Sequence, residues 1–381
     1  MKKVLMLATT AAMIEQFNKE NILILKKIGY EVHVAGNFKE GNPISDERIE
    51  KFKIWIEQNH GRWFHISVSR NPFDILSNYR AYKVLVDIMK ENQYEFIHCH
   101  TPIGAVIGRF AAHKTQRKVI YTAHGFHFYK GCPIQNWILY YPVEKFLSKW
   151  TDVLITINHK DYQLAKKNFH AKKTIHIHGV GIDIDQINDC SGNRNLIRNH
   201  LGLSEDDFVV VSVGELNENK NQSVIIRAIR AISNKKIKYL ICGTGSYADK
   251  LTKLIEELNM QESVEILGFR EDIFCILKAA DCFAFPSRRE GLGLAALEAM
   301  AVGLPLITSN SGGILEYSIN NVTGFVNDVD DVKGFAHSIE ELFKNPQMRM
   351  KMGNYNKEAV KKYSVKNVNT IMEKVYRMVV M

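Results

Sequence analysis

Apolar residues along this chain fall into short dense runs, separated by longer stretches in which they recur every three or four positions. KKVLMLAT (2–9), YEVHVAG (30–36), FIHCHTP (96–102), KVIYTAHG (118–125), VLITIN (153–158) and KTIHIHGVGID (173–183) are dense runs. They read as strands covered on both faces, which is what a parallel sheet requires. A helical pattern occupies 14–28, ended by Gly29, and another follows SRNPFD to about residue 91. The segment 37–70 is polar and mixed, ending in the strand FHISVS (64–69). A polar stretch at 184–206 reads as a linker, and the alternation then resumes. DFVVVSVGEL (207–216), KYLICGTG (238–245), VEILGF (264–269), CFAFPS (282–287), LPLITS (304–309) and TGFV (323–326) are strands, with helices at 220–232, 247–259, 271–280, 292–302 and 329–343. Strand and helix in strict alternation predict an α/β protein with two doubly wound, Rossmann-like domains, at 1–185 and 186–345, followed by a helical segment at 346–381.

Composition refines this. With 381 residues, 46% of them apolar, the chain can bury two cores. No run is long enough for a bilayer span, and Lys2 and Lys3 with no small-residue cleavage site do not make a signal peptide, so the expected location is cytoplasmic. Six cysteines without a C-x-x-C pair predict reduced, mostly buried thiols. The net charge of +9 is uneven: residues 1–180 carry 26 Lys and Arg against 15 Asp and Glu, the remainder 24 against 26. No nucleic-acid motif accompanies the basic half. An anionic membrane surface is its expected partner, through Lys166, Lys167, Lys172 and Lys173.

The densest chemistry lies at 286–326, PSRREGLGLAALEAMAVGLPLITSNSGGILEYSINNVTGFV. A strand ending in Pro-Ser is followed by good helix formers from Leu292, which puts Glu290 at a helix entrance. Such an entrance presents unpaired N–H groups and the positive end of the helix dipole, and so attracts phosphate. Were both helical, Glu290 and Glu298 would stand roughly 12 Å apart along the axis. Two carboxylates could then hold hydroxyls at opposite ends of one ligand with a negative middle, the layout of a sugar nucleotide. GLPLITS (303–309) and SGGILEY (311–317) add a strand and a second glycine-opened helix start.

This succession resembles the donor-binding signature of retaining glycosyltransferases of family 4, and the resemblance covers nearly the whole chain. It implies the GT-B fold, two Rossmann-like domains facing across a cleft, with the last helix crossing back to the first domain. It further implies a retaining, metal-independent transfer from a nucleotide sugar, usually a UDP-sugar, to a glycan or polyprenyl-linked acceptor in exopolysaccharide or cell-envelope synthesis, peripheral to the inner membrane face. By that resemblance Glu298 holds the ribose, Glu290 with Gly291, Leu292, Gly293 and Leu294 holds the sugar, and His124 in YTAHGFHF bonds the donor sugar. Lys220 in VGELNENKN balances the diphosphate, with Arg288 or Arg289 as helpers. Gly214, Gly245 in CGTGS and Arg270 in LGFRED complete the donor site.

Two departures stand out: Glu215 follows Gly214 where the family has arginine, and Thr9, Thr10, Ala11 and Ala12 stand where the family has glycines. His98 with His100, and His176 with His178, share strand faces without a spaced third ligand, and read as structural, although His100, Thr101 and Pro102 at a strand end could line the acceptor side. The D-x-D pairs at Asp183 and Asp185 and at Asp328 and Asp330 fall outside a metal context, so no metal and no cofactor are expected. A sugar-nucleotide 2-epimerase and a catalytically silent sugar-nucleotide-binding protein remain as alternatives.

Overall fold

A computed structural model describes residues 2–129, 131–189 and 193–380. The chain divides into two compact units, one of residues 1–180 with 366–381, the other of residues 181–365. In the first, β1 (Lys2–Thr10), α1 (Ala11–Phe17), α2 (Lys19–Lys27), β2 (Tyr30–Asn37), α3 (Asp46–Gln58), β3 (Arg62–His65), α4 (Ile75–Asn92), β4 (Phe96–His100), α5 (Pro102–Thr115), β5 (Lys118–Ala123), α6 (Ile134–Leu147), β6 (Val153–Thr156), α7 (His159–Asn168) and β7 (Lys173–His176) follow in order. The strands form one parallel sheet of order β3-β2-β1-β4-β5-β6-β7.

The second unit contains α8 (Ile184–Asp189), α9 (Arg194–His200), β8 (Phe208–Val213), α10 (Gln222–Ile232), β9 (Ile237–Cys242), α11 (Ala248–Glu257), β10 (Val264–Gly268), α12 (Ile273–Ala279), β11 (Cys282–Phe285), α13 (Leu294–Val302), β12 (Leu306–Ser309), β13 (Gly324–Asn327), α14 (Val332–Lys344) and α15 (Pro346–Ala359). Its parallel sheet has the order β10-β9-β8-β11-β12-β13. After α15, helix α16 (Val365–Val380) returns to the first unit, where Tyr376 is buried and its hydroxyl lies 3.0 Å from His98 Nδ1.

Several sequence expectations are corrected. The helix read at 14–28 is two helices, broken at Asn18, whose φ of −133° leaves the helical range and whose buried side chain donates to the Met13 carbonyl. The polar segment 37–70 contains α3, capped by the Ser45 hydroxyl accepting from Arg48 N–H and opened by Asp46 and Glu47. The stretch 184–206 is not an open linker but carries α8 and α9 of the second unit. Cys99, Cys242 and Cys282 are buried thiols, whereas Cys275 is disulfide-bonded, against the expectation of reduced thiols throughout; Cys190 lies outside the described residues.

Arg198 of α9 shows why that stretch folds. Only 2% exposed, it donates to the carbonyls of Ala279, Ser204, Glu205 and Asp207 and to the Asp281 carboxylate at 2.7 Å. The same carboxylate accepts from Val209 N–H at 2.8 Å, so one guanidinium ties α9 to the start of β8 and the end of α12. Removing one partner of a buried ion pair typically costs about 3–5 kcal/mol. Arg198→Ala should therefore speed amide exchange across 208–213 and 279–285 by about a hundredfold or more, and unchanged exchange there would show that the guanidinium is not what holds these edges.

Candidate functional site

In the second sheet the strand order reverses between β8 and β11, and the segments leaving these two strands bring together most of the residues singled out in the sequence. Strand β8 gives way to Gly214, at φ +151°, where an added Cβ would approach Lys220 Cε to 3.1 Å. Lys220 ends a single 3-10 turn whose cap, the Asn217 side chain, accepts from its N–H at 3.0 Å. From there its ammonium reaches across to β11: Nζ lies 4.9 Å from the ring centroid of Phe285 and donates to Glu290 Oε1 at 2.6 Å. Both side chains of the pair are largely but not fully covered.

Glu290 stands four residues before the helix, two more than the helix read at 292–302 implied. Helix α13 starts at Leu294, with Gly293 at φ +91° as its cap residue and no side-chain cap. A Cβ at Gly293 would lie 2.5 Å from the Phe285 ring and 2.9 Å from Tyr317 Oη, so only glycine fits. Residues 286–293 therefore form a loop, and neighbouring segments hold it through its backbone. Arg288 N–H donates to Asn219 O at 2.7 Å, the Asn219 side chain donates to Arg289 O at 2.8 Å, and Gly313 N–H donates to Glu290 O at 2.9 Å. The second glycine-opened element is a short 3-10 turn at Gly312–Glu316 rather than an α-helix, and it packs directly under this loop.

Past the loop, α13 carries Glu298. This half-buried carboxylate makes no hydrogen bond or ion pair among the described residues, and burial raises it above the ordinary carboxylate range. The start of α13 leaves its first N–H groups without intrahelical partners. An uncapped helix start, an ammonium and an unpartnered carboxylate together suit a ligand with a negative middle and hydroxyl-bearing ends.

Other predicted residues fare differently. Gly245 fits against Leu216, whose carbonyl would stand 2.3 Å from an added Cβ, and Gly243 N–H donates to Gly268 O at 2.7 Å, joining the two expected nucleotide loops. Arg270 is held by Asp272 in a bidentate pair at 2.8 and 2.7 Å. Arg288 is likewise engaged, with Asp330 at 2.9 and 2.6 Å in an exposed pair. Glu215 is exposed and accepts from the Asn217 amide at 2.9 Å. Sequence reading missed Phe285 and Tyr317. The Tyr317 hydroxyl is buried without a partner, and burial, then the Glu290 charge, push its ionisation well up. Only the final Tyr of SGGILEY hinted at it.

His124 belongs to the first unit, just past β5. Its Nε2 lies 3.3 Å from His100 Nδ1, the His100 and His98 rings lie 4.1 Å apart and tilted by 42°, and His98 Nε2 meets Thr122 Oγ1 at 2.8 Å. Burial pushes His98 down to about 3 and His124 down to about 4, so these rings are neutral near pH 7. His176 stacks on His159 of α7 at 4.0 Å, a neighbour that the strand spacing did not reveal.

Comparison with known proteins agrees with this geometry. Residues 193–359 match the family of Glycosyl transferases group 1, and residues 23–186 match Glycosyltransferase Family 4. EpsD of Bacillus subtilis (strain 168), a glycosyltransferase by name, is 36% identical over 370 residues, 95% of this chain and 93% of its own. The UDP-Gal:alpha-D-GlcNAc-diphosphoundecaprenol alpha-1,3-galactosyltransferase of Escherichia coli is 27% identical over 350 residues, 90% of this chain and 88% of that protein. The crystal structure of Anabaena HepE in complex with UDP matches with a TM-score of 0.80 at 21% identity, covering 99% of this chain and 100% of that one, which identifies the fold as GT-B. With its full length matched by a relative at 36% identity and each half matched by a family description, the chain belongs to glycosyltransferase family 4.

Proposed function

We propose that this glycosyltransferase moves a sugar from a UDP-sugar to a glycan or polyprenyl-linked acceptor during exopolysaccharide or cell-envelope assembly, with retention and without a metal. The observation that carries the reading is the Lys220–Glu290 pair, 2.6 Å long, at the uncapped start of α13. Glu290 and the amides of Gly291, Leu292, Gly293 and Leu294 hold the sugar hydroxyls. Lys220 and the helix start balance the charge that develops on the departing diphosphate, the main catalytic task. Glu298 accepts from the ribose hydroxyls, and Gly214 and Gly245 give the nucleotide room, with Arg270 and Arg289 at its edges. The printed names of similar proteins support this direction: HepE is seen with UDP, the Escherichia coli relative acts on a diphosphoundecaprenol-linked sugar, and CapM of Staphylococcus aureus, 24% identical, serves capsular polysaccharide synthesis. The enzyme works in the cytoplasm at an anionic membrane surface, though Lys172 takes little part, since its Nζ lies 2.7 Å from Asp152.

Glu298 gives a test with two opposite signs. Its folded pKa is raised, so its contribution to stability is present below the ordinary carboxylate range, near pH 4.3, and is lost as pH rises through the raised value. At pH 7 the ligand-free protein therefore carries a cost that Glu298→Gln removes. The variant should melt at a higher temperature than the parent, yet bind UDP at least about tenfold more weakly, because charge-assisted hydrogen bonds contribute about 1.5–3 kcal/mol. Loss of both stability and affinity would assign Glu298 a structural role.

Glu290→Gln leaves Lys220 a neutral amide oxygen to bond and places the change on the sugar side, so UDP affinity should stay within about threefold while turnover falls by about a hundredfold, the usual scale for removing one transition-state contact. Equal losses of UDP affinity and turnover would contradict this division. Transfer should also survive excess EDTA, and activity lost to EDTA and restored by magnesium or manganese would overturn the metal-free assignment. Sugar interconversion with no acceptor present would favour an epimerase instead.

A further inference from the structure

Helix α6, IQNWILYYPVEKFL, has its burial inverted. Its buried residues are Glu144 and Leu147, while Ile134 and Ile138 are about 70% exposed and Leu139, Val143 and Phe146 more than a third. The helix is held by Trp137, Tyr140 and Tyr141, which pack against the core, and by an ion pair: Glu144 accepts from Arg109 Nη1 of α5 at 2.9 Å and from the Tyr121 hydroxyl at 3.3 Å. On α4, Ile75 and Tyr79 are 75% and 51% exposed, four residues apart and so on one face. Ile75 and Tyr79 of α4 and Leu139 and Val143 of α6 line a groove of about 550 Å³, together with Val106, Ile107 and Phe110 of α5. Exposed apolar surface so concentrated marks a binding site rather than ordinary surface.

The groove does not end blindly. It shares Pro72, Pro102, Ile103 and Tyr140 with a second cavity of about 330 Å³, whose walls include Thr9, Thr10, Thr101 and Arg70. That cavity lies at the ends of β1 and β4, where the strand order of the first sheet reverses, the position at which open α/β sheets bind ligands. Thr101 is held there at φ +64°, a costly setting for a β-branched residue, with its hydroxyl 2.7 Å from Thr9 Oγ1. Arg70 is exposed, donates to the Gly41 carbonyl and has no carboxylate partner among the described residues. A further cation stands near the groove: Lys83 Nζ lies 4.9 Å over the ring of Tyr79, one of its lining residues.

We propose that the two cavities form one site for an amphiphile, the phosphate of a prenyl phosphate at Arg70 and the threonines, and its isoprenoid chain in the groove of α4, α5 and α6. Charge complementarity selects this occupant. The smaller cavity offers a cation and hydroxyls and the groove mainly apolar and aromatic side chains, so the fitting partner is negative at one end and apolar along its length. This assignment rests on the reading of the acceptor as polyprenyl-linked.

The test is calorimetric titration of the full chain with geranylgeranyl phosphate, geranylgeraniol and inorganic phosphate. Geranylgeranyl phosphate should bind at least tenfold more tightly than either of the others. Ile75→Glu, at an exposed position that the fold tolerates, and Val106→Glu in the floor should each weaken it at least tenfold, with UDP affinity unchanged. Arg70→Ala should weaken geranylgeranyl phosphate about tenfold and leave geranylgeraniol as it was. Equal binding of geranylgeranyl phosphate by the parent and Ile75→Glu would overturn the proposal. So would sedimentation with anionic phosphatidylglycerol vesicles that Ile75→Glu abolishes while prenyl phosphate affinity stays the same, which would make the face a bilayer contact. UDP titration keeps the two readings apart: UDP bound with prenyl phosphate ignored sinks the groove alone, and prenyl phosphate bound with UDP ignored sinks the donor reading alone.

Discussion

Each parallel sheet of this protein begins with a strand in its middle, and most of the chemistry depends on that constraint. From β1 the chain builds outward to β3 on one side and then returns to add β4 on the other; from β8 it does the same with β10 and β11. Segments leaving neighbouring strands of the central pair must therefore diverge, and the gap between them cannot be filled by a continuous crossover. Backbone groups and helix starts face into that gap. Its contents are decided by whichever residues the sequence places in the few positions after β1, β4, β8 and β11.

In the second unit those positions are filled so that opposite charges meet across the divergence. Lys220 comes from the β8 side and Glu290 from the β11 side, and each fixes the other at 2.6 Å. The pair needs a rigid frame, and the frame is backbone. Asn219 bonds to Arg288 and Arg289, Gly313 bonds to Glu290, and Gly293 lets the chain turn against Phe285. Charge-bearing neighbours that could have competed are engaged elsewhere, Arg288 by Asp330 and Arg270 by Asp272. Glu298 is left as the desolvated group without a partner. A carboxylate in that state destabilises the protein that carries it, which is the usual relation between a binding group and stability.

Strands were legible in the sequence because burial on both faces makes them nearly continuous apolar runs, and β1 buries seven of its nine residues in a row. Glycine turns at 214, 243, 245 and 293 were legible for the same local reason. What escaped depended on contacts distant in sequence. The partner of Arg288 is 42 residues away, and Arg198 bonds Ala279 81 residues away, so neither the pairing of one arginine nor the ordering of 184–206 could be read locally. Helix α3 had a local signal, Ser45 before Asp46 and Glu47, hidden in a polar segment. The helix carrying Glu298 was started two residues early, at Leu292, because propensity favours leucine there, whereas the cap at Gly293 sets the boundary at Leu294.

The two crevices share a topology and differ in chemistry, and the difference follows from residue size. After β8 the chain has Gly214, so the lysine that follows can fold back over the strand end and face a glycine-lined loop. At the end of β1 it has Thr9 and Thr10, with Thr101 beyond β4, and the hydroxyls of Thr9 and Thr101 bond one another across the gap at 2.7 Å. Such a gap offers a ligand hydroxyls in place of close backbone approach. It also abuts α6, whose inner face packs Trp137, Tyr140 and Tyr141 on the core beside the Glu144–Arg109 pair and whose aliphatic side chains Leu139 and Val143 stay partly in solvent. A buried ion pair gains little stability over an apolar contact of the same size. Its effect here is geometric: it helps to fix α6 with its aliphatic face outward, beside a crevice whose one cation has no acidic partner among the described residues.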